Sequence, residues 1–214
     1  MSARLFDDGE TLAARPERDG RDFYATHPSY ATALLAALPA VWRARYGRAA
    51  VFPAVWEPAA GDGALARVLQ AAGYRVLQSD IAPSGAGIPR ADFLRAREAP
   101  APVLITNPPY GRDLPLAFAR HAMALGVSEC WLLCRAAWWE APGRFAKLKA
   151  LPLRHIWVVN SRAAMWPAGR VPAGKENASW PYYHAWYGFV AGEAFAPQID
   201  VIQPCPGIMH GAAP

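Results

Sequence analysis

Short apolar runs punctuate this chain, and most are separated by a stretch with helical periodicity. The runs are residues 51–56, 74–78, 103–106, 130–134, 156–159 and 182–190. Between them, residues 28–46 carry Tyr30, Leu34, Leu35, Leu38 and Trp42 at helical spacing. Residues 64–72 end at Gly73, residues 114–125 end at Gly126, and 145–150 read as part of a further helix. Strands that alternate with helices pair in parallel through right-handed crossovers. The last two runs follow one another with no helix between, which predicts a hairpin. The expected fold is α/β: Rossmann-like, doubly wound, a mostly parallel seven-stranded sheet with an antiparallel C-terminal hairpin strand.

In such sheets ligands sit beyond the carboxyl ends of the strands. The chemistry-bearing residues fall at those ends: Glu57, Asp80, Asp92 and Asn107. The 214 residues suit one domain with a real core. Residues 1–21 read as a flexible charged lead-in, 22–192 as the domain, and 193–214 as a Pro-rich, weakly structured tail. No apolar h-region opens the chain and no stretch is long enough to span a bilayer, so a cytoplasmic protein with no membrane partner is expected. Cys130 and Cys134 flank apolar residues in a strand and read as small core hydrophobes. His121, His155, His184 and His210 lie far apart without metal-ligand spacing, and no metal site is expected. The formal net charge of +5 suits a polyanionic partner and is equally what an Arg-rich composition produces.

After residues 51–56 comes Glu57-Pro58-Ala59-Ala60-Gly61-Asp62-Gly63. Glycines here let the backbone turn sharply and approach a ligand. The turn lacks the lysine of a phosphate-cradling loop, and Glu57 and Asp62 would repel a pyrophosphate. Acids suit a cationic ligand. Asp80 can accept two ribose hydroxyls, or can cap its own loop. Asp92 offers an acceptor to an adenine amino group. Phe93 offers a stacking face or packs in the core.

The deciding segment is Asn107-Pro108-Pro109-Tyr110. Two prolines after a buried strand make the backbone rigid, Asn107 supplies a side-chain oxygen, and Tyr110 a ring. The segment resembles the Asn-Pro-Pro-Tyr motif of amino methyltransferases. The succession of glycine turn, acid, Asp-Phe and this motif resembles the order in N6-adenine DNA methyltransferases, with the cofactor motifs before the catalytic one. Residues 22–28 resemble the segment that closes over the cofactor's methionine end in that family. Residues 138–145 and the aromatic run 182–189 resemble small phage- or prophage-type members. His27 departs from the family's usual turn residue, and no separate target-recognition domain follows Val190, which implies low or short sequence specificity.

The resemblance implies S-adenosyl-L-methionine as cofactor. It would be held by Tyr24 and Thr26, by Glu57, Ala59, Gly61 and Gly63, by Asp80 and Ile81, and by Asp92, Phe93 and Asn107. It implies catalysis by Asn107, Pro108, Pro109 and Tyr110 on an adenine that is flipped out of the duplex or unpaired. Residues expected to contact the nucleic acid are Tyr110, Arg112, Trp139, Arg144, Arg162, Trp166, Arg170 and Lys175. Four of these belong to the long loop 161–179, whose Trp166 can equally pack on the core. The same motif serves methylation of RNA bases or of a protein glutamine amide, and a catalytically silent nucleic-acid-binding subunit is a further alternative.

Overall fold

The first helix, α1 (Pro28–Tyr46), begins on a proline, whose fixed φ and missing N–H suit a helix start. It buries Tyr30, Leu34, Leu35, Leu38 and Trp42, the residues expected at its core face. The computed structural model describes residues 24–46, 54–111, 113–166, 170–175 and 178–205; the expected lead-in 1–21 lies outside the described residues. The other helices are α2 (Ala64–Ala71), α3 (Leu114–Ala124) and α4 (Pro142–Leu148).

Seven strands form one sheet: β1 (Val55–Glu57), β2 (Val76–Gln78), β3 (Val103–Thr106), β4 (Glu129–Arg135), β5 (Leu153–Val159), β6 (His184–Val190) and β7 (Gln198–Ile202). Their spatial order is β2-β1-β3-β4-β6-β5-β7. The pairs β1–β2, β1–β3, β3–β4 and β5–β7 are parallel. Only β6 runs against its neighbours, wedged between β4 and β5. The expected doubly wound sheet with one antiparallel hairpin strand is therefore the fold.

Alternation along the strands splits the interior into two cores. Val103, Ile105, Trp131 and Leu133 face one way and pack with α1 and α2. Leu104, Cys130, Leu132 and Cys134 face the other way and pack with α3. The two cysteines are core hydrophobes as expected, and burial pushes both thiols up. At β6, Gly188 lies opposite Trp131, and a Cβ there would stand 2.7 Å from that indole, so the absence of a side chain makes room for the ring.

Two sequence expectations need correction. The tail from residue 193 contains β7. Its prolines bracket a five-residue run, Gln198–Ile202, rich in β-branched residues, and residues 191–197 carry the chain past the start of β5, where the Ala196 N–H meets the Leu153 carbonyl. Residues 206–214 lie outside the described residues. Second, residues 182 and 183 stop short of β6, because Ala136 N–H bonds the Tyr183 carbonyl where β4 has already given way to a 3₁₀ turn, Ala136–Trp139. Among the described residues no helix is long and apolar enough to cross a membrane.

Candidate active site

The turn after β1 is built on positive φ. Gly61 stands at φ 56° and Gly63 at φ 81°, in the left-handed region that a side chain disfavours. Gly63 thereby serves as N-cap of α2. Asp80, just past β2, ties this turn down. One of its carboxylate oxygens accepts from Gly61 N–H at 2.8 Å and the other from Ala82 N–H at 2.7 Å. Asp80 thus caps its loop, and each oxygen still has a lone pair for a further donor.

Glu57 closes the inner end of the turn. It is 2% exposed. Burial pushes its carboxyl well above the usual carboxylate range; the Ala66 N–H opposes that shift, and the nearby Asp62 and Asp80 add to it. Its Oε2 is buried with no hydrogen-bond partner among the described residues. A buried acid in that state is set to receive a donor or a cation.

Asp92 begins a single 3₁₀ turn, Phe93–Arg95. Its Oδ1 accepts from Leu94 N–H at 3.0 Å and its Oδ2 lies 3.6 Å from Arg95 Nε. Phe93 is a core residue, with its ring 4.5 Å from Phe118 and 5.1 Å from Trp56, and one edge still reaches the cavity.

Asn107 leaves β3 into the two prolines. Its Nδ2 donates to the Tyr24 carbonyl at 3.3 Å and to Thr26 Oγ1 at 3.2 Å, with Met165 Sδ at 3.8 Å. A carbonyl can only accept, so Tyr24 fixes which way the amide faces. Asn107 Oδ1 is thereby turned to the other side, where the Tyr110 hydroxyl donates to it at 2.5 Å.

These groups share one cavity of about 480 Å³, within the range of ordinary small-molecule sites. Of the expected cofactor residues, Tyr24, Thr26, Glu57, Ala59, Asp80, Ile81, Asp92, Phe93 and Asn107 line it, while Gly61 and Gly63 shape the turn beside it. Pro108, Pro109 and Tyr110 line it as well.

No protein-family model matches the chain, and no curated protein matches it. Among solved structures it is similar to a Thermoplasma acidophilum protein designated 1320, with 18% identity, a TM-score of 0.48, and coverage of 79% of this chain and 93% of that one. It is also similar to a predicted O-methyltransferase, protein Atu636 from Agrobacterium tumefaciens, with 17% identity, a TM-score of 0.44, and coverage of 76% and 92%.

The expected nucleic-acid contacts divide sharply. Tyr110 and Arg170 line the cavity. Arg112 lies outside the described residues. Trp139 and Arg144 do not reach the cavity: Trp139 packs edge-on to Phe145 at 5.9 Å, and Arg144 donates to the Trp138 carbonyl at 2.7 Å and lies 3.6 Å from Asp113. Arg162 sits with its guanidinium 5.9 Å from the Tyr183 ring. Trp166 and Lys175 are not among the cavity's walls. The two ends of the loop carrying them pair antiparallel, with Ala163 opposite Ser179.

Sequence reasoning missed Met165 as a neighbour of Asn107, and Leu114 and Phe118 as cavity walls. Helical spacing marks Phe118 only as a core residue. His184 is buried, with its ring 5.1 Å from Tyr30 and 6.4 Å from Tyr110, and its Nδ1 has no partner among the described residues.

Proposed function

We propose that this chain transfers a methyl group from S-adenosylmethionine to an exocyclic amino nitrogen, and that the acceptor is N6 of adenine in DNA. The observation that carries the reading is the Asn107 amide. Its nitrogen is committed to the Tyr24 carbonyl and Thr26 Oγ1, which leaves its oxygen as an acceptor among the cavity walls, and the unpartnered Oε2 of buried Glu57 belongs to the same cavity.

The residues fit the cofactor. A buried carboxylate oxygen without a partner suits a ligand bearing an ammonium and a sulfonium. Asp80, already oriented by two backbone N–H groups, can accept ribose hydroxyls, and Asp92 with the Phe93 edge suits an adenine. When bound, S-adenosylmethionine would supply an electrophilic methyl group that the nitrogen displaces in line, with the C–S bond breaking to leave the neutral thioether S-adenosylhomocysteine and one amino proton released to solvent.

The rest of the mechanism belongs to the protein. The adenine amino nitrogen is a weak nucleophile because its lone pair is delocalised into the ring. Asn107 Oδ1 and the Pro108 carbonyl accept its two N–H bonds, which draws the lone pair back onto nitrogen and aims it. The Tyr110 ring holds the base plane. No covalent enzyme intermediate is needed, and rate comes from positioning and preorganised dipoles. A base stacked within a duplex cannot present its amino group to a cavity, so it enters flipped or unpaired.

The test is methyl transfer from labelled S-adenosylmethionine by the wild-type chain and by Asn107→Ala. Single- and double-stranded DNA, RNA and cell protein are offered in parallel, followed by nucleoside analysis. Label as N6-methyladenine in DNA, lost in the variant while cofactor still binds, supports the reading. Label only in RNA or protein overturns the substrate and keeps the chemistry. Absence of transfer in every arm overturns the reading.

A further inference from the structure

Beside the cavity lies an aromatic and cationic ledge whose members Trp180, Tyr182, Tyr183 and Arg135 are not cavity walls. Trp180, Tyr182 and Tyr183 lead into β6, and because β6 runs antiparallel they come to the carboxyl edge of the parallel strands, the edge that holds Asn107. Arg135, at the end of β4, reaches the same edge. Its guanidinium lies 4.3 Å above the Tyr182 ring. Arg162 lies 5.9 Å from the Tyr183 ring, and Tyr183 is 46% exposed, a large exposure for an ordered aromatic beside a core strand. The ledge joins the site directly. Trp180 packs edge-on against the Tyr24 ring at 6.0 Å, and the Tyr24 carbonyl is the group that orients the Asn107 amide.

Among the described residues Arg135 enters no ion pair, whereas the neighbouring cations Arg144 and Lys147 are both drawn to Asp113. The edge therefore carries positive charge spread over aromatic faces. That combination suits an unstacked nucleic-acid strand: bases stack on rings or guanidinium planes and phosphates meet the arginines. A duplex does not offer its base faces, because they are already stacked on each other.

We propose that Trp180, Tyr182 and Tyr183 with Arg135 and Arg162 form a binding ledge for an unpaired DNA strand, seating the nucleotides next to the base that enters the cavity. The inference rests on the reading of that cavity as a DNA-modifying site, and it assigns the substrate as single-stranded DNA.

The probe is a fluorescent 12-mer of thymidine, which contains no adenine and needs no cofactor, followed by anisotropy. The chain is expected to bind it, more weakly as salt rises, and about tenfold more weakly in Tyr183→Ala and in Arg135→Ala. Tyr183→Trp restores binding, because a larger ring still stacks. Unchanged affinity in both alanine variants overturns the ledge. Equal or tighter binding of the matching thymidine–adenine duplex overturns the single-strand assignment, and tighter binding of oligouridine overturns DNA. The two proposals fail separately. Ledge-dependent thymidine binding without methyl transfer to any substrate leaves the ledge and removes the methyltransferase reading. Transfer to DNA with binding indifferent to the ledge variants does the reverse.

Discussion

The Tyr110 hydroxyl donates to Asn107 Oδ1, the atom whose acceptor capacity the proposed chemistry needs. The residue that would hold the base plane therefore also competes with the base's amino group for that oxygen. Entry of an adenine exchanges one donor for another. Tyr110→Phe keeps the ring and removes the competing donor. Net hydrogen bonds are worth about 1 kcal/mol, so substrate KM should fall roughly fivefold with transfer retained. Tyr110→Ala, which removes the ring as well, should lose transfer. Steady-state kinetics on one oligonucleotide separates the two.

Glu57 predicts a pH effect of definite sign. Burial raises its folded-state pKa above the ordinary value of 4.5. Its contribution to stability is therefore full below that value and is lost as pH rises through the higher folded-state pKa. Glu57→Gln should flatten this part of the profile and raise the thermal midpoint of the ligand-free protein at neutral pH. A cationic cofactor favours the ionised acid, so its binding should strengthen with pH in the wild type. In the variant that dependence should vanish, with affinity about tenfold lower or more. Thermal unfolding and calorimetric titration across pH check both halves.

His184 works in the opposite direction. Burial, helped by Arg135, lowers its pKa from 6.5 to about 4. The neutral ring is stable above 6.5, and stability is lost as pH falls from there toward 4, because the unfolded chain takes up the proton first. The loss is roughly 3 kcal/mol across that window. His184→Phe should remove this slope between pH 6.5 and 4, measured by urea denaturation at several pH values.

Gly188→Ala tests the packing behind the site. The new Cβ would meet Trp131 Cζ3 at 2.7 Å and Cη2 at 2.8 Å. The indole cannot slide freely, since its Nε1 donates to the buried Glu129 at 3.0 Å. Overpacking of this kind costs about 1–3 kcal/mol. Denaturant midpoints should fall accordingly, while affinity of the folded variant for S-adenosylmethionine, the proposed cofactor, should stay unchanged because neither Gly188 nor Trp131 is a wall of the cavity.

Much of this architecture could be read from residues alone, for physical reasons. Buried strands such as Val103–Thr106 are nearly continuous apolar runs, and two of them lead straight into a polar cavity residue, β1 ending on Glu57 and β3 followed by Asn107. β7 was hidden because its five residues are mostly exposed, so no apolar run announces them, and prolines on either side read as tail. The segment Asn107-Pro108-Pro109-Tyr110 was legible as a cavity wall because its four residues are contiguous at the end of one strand. The basic residues were not. Arg144 looks like a phosphate ligand until Asp113, 31 positions earlier in the sequence, is seen beside it. Arg135 looks like the end of a strand until Tyr182 arrives beneath it. Whether a cation serves a ligand or a neighbour is decided by contacts that spacing does not encode.

The hold of Tyr24 on Asn107 spans 83 positions. An amide side chain is nearly symmetric in shape, and only its surroundings distinguish oxygen from nitrogen. A protein clipped just before Pro28 would lose both oxygen acceptors of the Asn107 amide nitrogen, the Tyr24 carbonyl and Thr26 Oγ1. The segment before the first helix is in that sense a latch on polarity, since Tyr24 and Thr26 set the direction of a distant amide.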